Sequence, residues 1–420
     1  MNLEKQSTSL QMTLREVNRV GEGQKNVPKL RFKGYKDAWE QRKVAEITKF
    51  HKQGYYTTEE YNDNKKYYLL RGTDLTGNKL VLKDTPKIDA TEKDYDAFKT
   101  EIGDFLIVRS GNVGTYGIVD VDIPAIFGSY LIDFRFDTEK VTNEFFGYFY
   151  QSERFQSQLN KITQSSANIN INAENIKSTY ISLPVLNEQK KISNIMSALD
   201  NCITLHQRKY NALKSMKKTL LSKMFPKNRE DVPEIRFKGF TDAWEQRKLG
   251  ALVQFVNGRA YKQEELLDVG KYKVVRVGNF NTNEKWYFSD LELETDKYID
   301  NGDLLYLWAT SFGPVIWQGE KAIFHYHIWK LKNFESLDKK YLYSFLEWDK
   351  NKISQNTNGS TMVHITKNMI EQRDIEYPTN SEQYRIGSLL ESIDNLITLH
   401  QRKLDELKNM KKTLLQQMFV

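Results

Sequence analysis

The sequence predicts an α+β protein in which two mixed α/β domains stand in tandem. Two long helices join them and pair as an antiparallel coiled coil, which would make the protein pseudo-twofold symmetric. Three observations predict this fold class. Two blocks of sequence each occur twice in the 420 residues, the second block carries a seven-residue apolar repeat, and short alternating strands lie between the blocks.

The repeat is strongest at the start and at the end of each copy. RFKGYKDAWEQRKV at 31–44 and RFKGFTDAWEQRKL at 236–249 are identical at 11 of 14 positions. The segments 200–225 and 394–419 are identical at 19 of 26 positions. Identity is low between the blocks. The difference in residue number between equivalent positions of the two copies falls from 205 in the first block to 194 in the second, so the second copy is 11 residues shorter. Such copies indicate a shared docking function and two different recognition functions.

The two C-terminal blocks are predicted to lie in long helices that form a coiled coil, because apolar residues recur in each at heptad spacing. A helix of about 38 residues is about 57 Å long, more than one domain covers. A helix packed only on its own domain is the alternative, but two copies in one chain favour antiparallel pairing. The predicted seam and subunit-docking residues are Leu199, Ile203, His206, Leu213, Leu220, Ile393, Ile397, His400, Leu407 and Leu414.

Each interior is predicted to be a mixed α/β domain. Segments such as 67–71, 104–109 and 304–308 read as short strands, and Gly, Asn, Asp and Ser clusters between them read as turns. The predicted parts of the chain are an N-terminal arm at 1–27, variable domain 1 at 28–182, helix 1 at 183–226, variable domain 2 at 227–376 and helix 2 at 377–420.

Composition and missing motifs argue against several function classes. The single cysteine, Cys202, supports neither a disulfide framework nor a thiolate zinc site, and no apolar run reaches membrane-span length, which predicts a cytoplasmic protein. Nucleotide-binding glycine motifs, an Asn-Pro-Pro-aromatic run of an adenine methyltransferase and a Pro-Asp dipeptide of a common nuclease site are all missing. We therefore expect no catalytic residue. We also expect no metal, because His325 and His327 share a strand face but lack a third ligand.

Polar clusters at equivalent positions of the two interiors predict a DNA-binding face. Arg and Asn suit base edges, whereas Ser, Thr and backbone amides suit phosphates. Ordinary turn chemistry is the alternative for each residue. The net charge is +7, and residues 185–225 hold eight Lys or Arg against two acids, so this helix faces phosphate, an acidic partner or solvent. The predicted DNA-binding residues are Arg71, Thr73, Arg109, Ser110, Asn112, Ser165, Ser166, Asn168, Arg276, Asn279, Thr310, Ser311, Asn358, Ser360 and Thr361.

The order of these features resembles the specificity (S) subunit of type I restriction-modification systems. Pro-x-[Leu/Ile]-Arg-Phe-Lys-Gly-[Tyr/Phe]-x-Asp-Ala-Trp-Glu, a variable domain, Leu-His-Gln-Arg-Lys and Lys-Lys-Thr-Leu-Leu-x-x-Met-Phe follow one another twice within 28–420. The resemblance implies a non-catalytic chain whose two target-recognition domains each read one half of a bipartite, asymmetric site in double-stranded DNA. It also implies that the coiled coil sets the spacer and docks two modification subunits.

The same resemblance assigns the cofactors to the partners and none to this chain. Modification subunits bind S-adenosylmethionine and methylate adenine, and restriction subunits of the full complex use ATP and Mg²⁺. Two other interpretations stay open. A self-contained nuclease or fused methyltransferase would bind S-adenosylmethionine itself. A coiled-coil adaptor whose variable domains bind proteins would need neither Arg71 nor Arg276. The arm at 1–27 either packs on the coiled coil or a partner, or frays; its helically spaced apolar residues are Leu3, Leu10, Leu14 and Val17.

Overall fold

The chain forms two compact units in a computed structural model of the protein. The structure describes residues 10–11, 13–20, 26–111, 114–163, 170–227, 230–281, 283–309, 311–334, 336–356 and 365–420. The first unit contains residues 1–207 and 402–420, and the second contains residues 208–401. Both unit boundaries fall inside the segments that the sequence predicts as long helices. Within the described ranges, no helix combines the length and the apolar character that crossing a membrane requires.

The described part of the first unit contains four small sheets of short strands. Four antiparallel strands have the order β4-β10-β7-β8, and three have the order β6-β5-β9, in which β5 and β9 run parallel. The pairs β1-β2 and β11-β3 complete the unit. Its strands are β1 (Val17–Arg19), β2 (Leu30–Phe32), β3 (Glu40–Lys43), β4 (Thr48–Gln53), β5 (Tyr67–Leu70), β6 (Lys87–Ile88), β7 (Phe105–Val108), β8 (Tyr116–Ile118), β9 (Ala125–Phe127), β10 (Leu131–Phe136) and β11 (Tyr180–Leu183).

Helices cover the sheets of the first unit. The β7 strand reads Phe-Leu-Ile-Val and is buried at every residue, as expected for a strand covered on both faces. Phe146 packs against Phe136 with ring centroids 4.2 Å apart, which fixes a helix to the four-stranded sheet. The helices are α1 (Glu92–Phe98), α2 (Asn143–Gln151), α3 (Glu153–Thr163), α4 (Ala173–Ser178) and the beginning of α5 (Leu186–Lys223).

The second unit repeats the four-stranded sheet and the parallel strand pair of the first, and its other sheet has one strand more. Its four-stranded sheet has the order β13-β20-β17-β18, and its other sheet has the order β15-β14-β19-β16 with β14 and β19 parallel. One strand pair, β12-β21, is equivalent to β3-β11. The elements are β12 (Glu245–Lys248), α6 (Leu249–Leu252), β13 (Gln254–Asn257), β14 (Tyr272–Val275), β15 (Tyr287–Ser289), β16 (Tyr298–Ile299), β17 (Leu304–Leu307), β18 (Gly313–Ile316), β19 (Ala322–Phe324), β20 (Ile328–Lys332), α7 (Lys339–Asn356), α8 (Lys367–Glu371), β21 (Asp374–Tyr377) and α9 (Asn380–Gln417).

Segments of the two long helices, α5 and α9, pack against each other within each unit. In the first unit Lys411 Nζ lies 2.7 Å from Asp200 Oδ1, and in the second Lys217 Nζ lies 2.6 Å from Asp394 Oδ1. Between these pairs the numbering rises by 17 along α5 (200 to 217) and falls by 17 along α9 (411 to 394), so the helices run antiparallel. The two pairs are related by the repeat offset of 194, and the predicted fold class is confirmed.

The predicted seam residues are all buried or half-buried, as a coiled-coil seam requires. The fully buried residues are Leu199, Leu213, Ile393, Leu407 and Leu414. The half-buried residues are Ile203, His206, Leu220, Ile397 and His400.

The repeated Arg-Phe-Lys-Gly motif is fastened to the first turn of each long helix. Arg31 donates to both carboxylate oxygens of Glu188, at 2.7 and 2.9 Å. Arg236 donates to both oxygens of Glu382, at 2.8 Å each. Both glutamates are completely buried. The two hydrogen bonds from the arginine satisfy the carboxylate oxygens, and the positive charge offsets the free-energy cost of burying the negative one. We call these two arginine–glutamate contacts the clamps. Each clamp holds the beginning of a long helix to the unit in which that helix starts.

Part of the N-terminal arm packs on the first unit. Leu10 is 4% exposed and belongs to the main core, and Leu14 and Val17 pack against the same cluster. Strand β1 pairs with β2, which carries Arg31 of the clamp. Leu3, the remaining apolar residue of the predicted pattern, lies outside the described residues.

Candidate nucleic-acid interface

A three-residue turn occupies the same place in both units. In each case it follows the sequence Ala-Ile-Phe and leads directly into the next strand. The turn is Gly128-Ser129-Tyr130 between β9 and β10, and His325-Tyr326-His327 between β19 and β20. The two turns have no side-chain type in common at equivalent positions, although the strands before them are identical. We call them turn 1 (128–130) and turn 2 (325–327).

Equivalent backbone hydrogen bonds hold the two turns in place, and we call each set of bonds the frame of its turn. In turn 1, Gly128 N donates to Leu70 O at 2.9 Å, and Arg109 N donates to Tyr130 O at 2.9 Å. In turn 2, His325 N donates to Val275 O at 2.9 Å, and Trp308 N donates to His327 O at 3.2 Å. The frame uses only main-chain atoms, so the side chains of the turn can differ without disturbing it.

A third chain segment closes each frame from the other side. Tyr55 N donates to Phe127 O at 2.8 Å, and Arg259 N donates to Phe324 O at 3.0 Å. A glycine precedes each donor because the backbones touch. A Cβ on Gly54 would stand 2.1 Å from Gly128 O, and one on Gly258 would stand 2.4 Å from Phe324 O.

Arg71 and Arg276, both predicted to contact DNA, leave the strands that support these turns. Arg71 follows Leu70 directly, and Arg276 follows Val275. The Arg71 guanidinium donates to Asp84 O at 2.7 Å. That of Arg276 lies over the Tyr287 ring, 5.3 Å from its centroid. The structure thus brings the predicted arginines next to turns 1 and 2.

The side-chain amide of Asn279 forms hydrogen bonds within its own loop. Its Oδ1 accepts a hydrogen bond from Arg276 N at 3.0 Å, and its Nδ2 donates to Lys285 O at 3.0 Å. Asp74 accepts from Arg71 N at 2.8 Å in the same position of the first unit. Both residues close a short 3₁₀ turn. The amide group of Asn279 therefore has its main hydrogen-bonding capacity engaged by the loop itself.

Three other predicted residues lie beside the frames. Arg109 Nε is buried without a hydrogen-bond partner among the described residues, and Ser110 forms an isolated bridge with Asn170. Ser311 Oγ accepts from Asn281 Nδ2 at 3.0 Å. Thr73, in contrast, is exposed at the surface next to Arg71. The remaining predicted DNA-binding residues, Asn112, Ser165, Ser166, Asn168, Thr310, Asn358, Ser360 and Thr361, lie outside the described residues.

Turn 2 is an aromatic cluster. Tyr326 is 40% exposed, and Trp308 Nε1 donates to Tyr326 O at 2.8 Å. The His325 and His327 ring centroids are 4.8 Å apart. Burial, together with the nearby His327 and Arg276, lowers the pKa of His325 to about 4. His325 is therefore neutral at pH 7, and its Nδ1 accepts a hydrogen bond from His327 N at 3.5 Å, which leaves Nε2–H as a donor.

Turn 1 has a different chemistry. Tyr130 is 68% exposed, and no histidine or tryptophan stands beside it in the turn. At the other end of β10, away from the turn, Arg135 Nε lies 2.8 Å from Asp104 and 3.6 Å from Asp133. Burial, and then the charge of Asp104, raise the pKa of Asp133 to about 8. The two units thus present different groups on the same backbone frame.

The described residues contain no group of three or more His, Cys, Asp or Glu side chains able to hold a metal ion. In the sequence, the signal for turns 1 and 2 is the Ala-Ile-Phe repeat at an offset of 197. It is only three residues long and stands among divergent residues, so a search for long identical blocks misses it.

Comparison with known proteins agrees with this architecture. The family described as the type I restriction modification DNA specificity domain matches residues 36–215 and again residues 241–409. The chain therefore belongs to the family of specificity subunits of type I restriction-modification systems and carries two copies of their specificity domain.

Relatives and a solved structure extend along most of the chain. The putative type I restriction enzyme MjaX specificity subunit of Methanocaldococcus jannaschii is 23% identical over 394 residues, covering 90% of this chain and 92% of that protein. The MjaVIII specificity subunit of the same organism is 25% identical over 287 residues, covering 64% and 67% of the two chains. The crystal structure of the S subunit from M. genitalium has the same fold, with a TM-score of 0.66, 16% identity and coverage of 94% and 99%.

Proposed function

We propose that each unit reads one half of a bipartite, asymmetric site in double-stranded DNA. The observation that carries the proposal is the pair of turns, one in each unit. The two turns have the same backbone hydrogen bonds but different side chains. A fixed frame with exchangeable side chains is what two readers of different sequences require. Family membership supplies the ligand class, because the domain is named for DNA specificity.

The second unit reads its half-site with turn 2 and Arg276. An arginine fork suits the O6 and N7 acceptors of guanine, and the neutral His325 ring, whose Nδ1 accepts from His327 N, can donate from Nε2 to a base edge. Tyr326 adds an exposed ring and a hydroxyl group. In the first unit, Arg71 has the position of Arg276, Tyr130 has that of His327, and Arg109 has that of Trp308. Ser and Thr residues around the frames, including Thr73, Ser110 and Ser311, contact phosphates.

The paired helices α5 and α9 set the number of base pairs between the half-sites. Each helix begins in one unit and ends in the other, and each has 38 residues. The ion pairs Asp200–Lys411 and Lys217–Asp394 fix one register, so the helices cannot slide to a different length. This supports a ruler function for the helices.

The same helices dock two modification subunits, and the chain itself contributes recognition without catalysis. The near-identical segments of the repeat offer two equivalent surfaces, which fits two copies of one partner. Those partners bind S-adenosylmethionine and methylate adenine, and restriction subunits with ATP and Mg²⁺ join in the full complex. The carriers of all three cofactors are thus other chains.

The test replaces turn residues and maps the methylated sequence. Tyr326→Ala with His325→Ala, assembled with the modification subunits, should change or relax one half-site and leave the other intact. Val269→Ala is the control, because Val269 is 83% exposed in the same unit, lies off the long helices and precedes the beginning of β14, whereas Arg276 follows its end. Methylation or binding that ignores DNA sequence in the unaltered complex would instead favour a protein-binding adaptor.

A further inference from the structure

The arginine beside turn 2 lies on the ring of a tyrosine from the neighbouring strand. Tyr287 begins β15 and pairs with Val274 of β14. Arg276 stands two residues after Val274, so its side chain leaves the same face of the sheet. Its guanidinium carbon is 5.3 Å from the centroid of the half-buried Tyr287 ring. This distance is in the range of a cation–π contact, which attracts the guanidinium to the face of the ring.

The contact holds Arg276 without occupying its hydrogen-bond donors. Its backbone N donates to Asn279, but within the described ranges its guanidinium forms no hydrogen bond and no ion pair. The N–H groups of the fork therefore remain available to a ligand. A ring that restricts a long side chain also lowers the conformational entropy that the side chain loses on binding. An arginine held in this way is suited to a bidentate contact with a base edge.

A second cation lies on the same ring. Lys285 Nζ is 4.9 Å from the Tyr287 centroid, and continuing the register of β14 and β15 by two residues brings Lys285 opposite Arg276. The carboxylate of the exposed Asp268 stands 4.0 Å from Lys285 Nζ, at the limit of an ion pair. Two cations that share one ring repel each other, and an anionic ligand relieves that repulsion. The phosphate backbone of DNA is such a ligand.

The first unit has neither the ring nor the second cation. In the register of β5 and β6, the position of Tyr287 is taken by Pro86. The position of Lys285 is taken by Asp84. The guanidinium of Arg71 donates to the main-chain oxygen of this aspartate at 2.7 Å. The protein's own groups thus engage the arginine of the first unit, whereas the arginine of the second unit rests on a ring with its donors available.

We propose that Tyr287 is a positioning residue for DNA recognition by the second unit: its ring holds the Arg276 guanidinium towards a guanine of the half-site, and Lys285 contacts a phosphate. The arginine supplies sequence preference, and the lysine supplies affinity that does not depend on sequence. The first unit has no equivalent of Tyr287, so this arrangement serves one half-site only. The proposal rests on the function proposed above, because it takes double-stranded DNA as the ligand.

The test measures binding of the full-length chain, assembled with the modification subunits, to duplexes in which each base pair of the second half-site is changed in turn. Arg276→Ala should lower the preference for one base on the order of tenfold or more. Tyr287→Leu should lower the preference at that same position by about three- to thirtyfold, because the guanidinium is no longer held. Tyr287→Phe keeps the ring and should stay within about twofold of the unaltered chain. Adding Tyr287→Leu to Arg276→Ala should cause no further loss, because the ring acts through the arginine.

Two further variants separate positioning from affinity and from packing. Lys285→Ala should weaken binding to all duplexes alike and make it less dependent on salt. Tyr272→Leu is the matched control, because Tyr272 is half-buried in the same apolar cluster as Tyr287 and carries Lys271 on its ring in place of the arginine. The control should leave every base preference within about twofold.

Several results would overturn the proposal. One is a Tyr287→Leu variant that keeps the preference that Arg276→Ala removes, or that loses discrimination at every position of the half-site. Others are an equal loss in Tyr287→Phe, relaxation of the same position by Tyr272→Leu, and a changed base preference in Lys285→Ala. In each of these cases Arg276 still selects a base and the proposed function stands. If Arg276→Ala leaves every preference intact, reading by Arg276 is itself contradicted, and the proposed function of the second unit fails with it.

Discussion

The clamp between the Arg-Phe-Lys-Gly motif and the long helix makes a quantitative prediction. Arg31 is 4% exposed and Glu188 is 0% exposed, and two hydrogen bonds join them. Arg31→Met removes both bonds and leaves a buried carboxylate without a partner. Breaking a buried pair in this way costs about 3–5 kcal/mol. Replacing both partners, as Arg31→Met with Glu188→Leu, should restore most of that loss because no buried charge remains.

Hydrogen exchange followed by mass spectrometry measures this loss for each unit separately. Arg31→Met should speed exchange in peptides of the first unit, and the double variant should bring most of the protection back. Arg236→Met is the matched change in the second unit, and it should cost somewhat less because the Arg236 side chain is 14% exposed. If the double variant is as unstable as the single one, the clamp stabilises by packing and the buried-charge argument is wrong.

Three further predictions test the frames and the helices. The raised pKa of Asp133 means that the folded protein keeps a proton that the unfolded chain releases, so the unaltered protein loses stability as the pH rises from about 5 to 8. Asp133→Asn has no such proton, and its free energy of unfolding in urea, relative to that of the unaltered protein, should rise by up to about 1.4 kcal/mol per pH unit. Gly54→Ala should disturb turn 1 and Gly258→Ala turn 2, each relaxing one half-site in a binding selection; effects on both halves would contradict separate frames. Inserting seven residues into both helices, after 207 and after 401, should lengthen the spacer by up to about three base pairs with both half-sites kept; an unchanged spacer would refute the ruler.

The repeat and its heptads predict the long helices well, because periodicity is a local property of sequence. The register of the helices is different, since it depends on which side chains meet. Asp200 and Lys411 are 211 residues apart, and nothing in the heptad pattern selects that pair over its neighbours. The sequence favours antiparallel over parallel pairing of the two helices, but it does not determine the direction.

The candidate site is predicted in part. Arg71 and Arg276 stand beside equivalent turns, as their aligned positions indicate. Asn279 has a side chain suited to adenine, but the same short side chain is suited to capping a turn, and the structure uses it for that. Sequence alone does not separate the two because both need an amide next to a strand end.

Turn 2 escapes prediction for another reason. The pairing of parallel strands β14 and β19 brings Tyr326 and Arg276 into one region, although 50 residues separate them in the sequence. Composition gives no sign of such long-range contacts. The histidines of the turn attract attention as metal ligands in the sequence, whereas their setting is aromatic and next to a cation.

The central claim is that the two units read the two halves of one DNA site independently. The most direct measurement is genome-wide mapping of methylated adenines in cells that express the complex with the unaltered chain or with residues 250–377 replaced by those of another specificity subunit. The account predicts a bipartite motif in which the exchange alters one half and keeps the other half and the spacer. A motif that changes in both halves, or methylation without a bipartite motif, would contradict it.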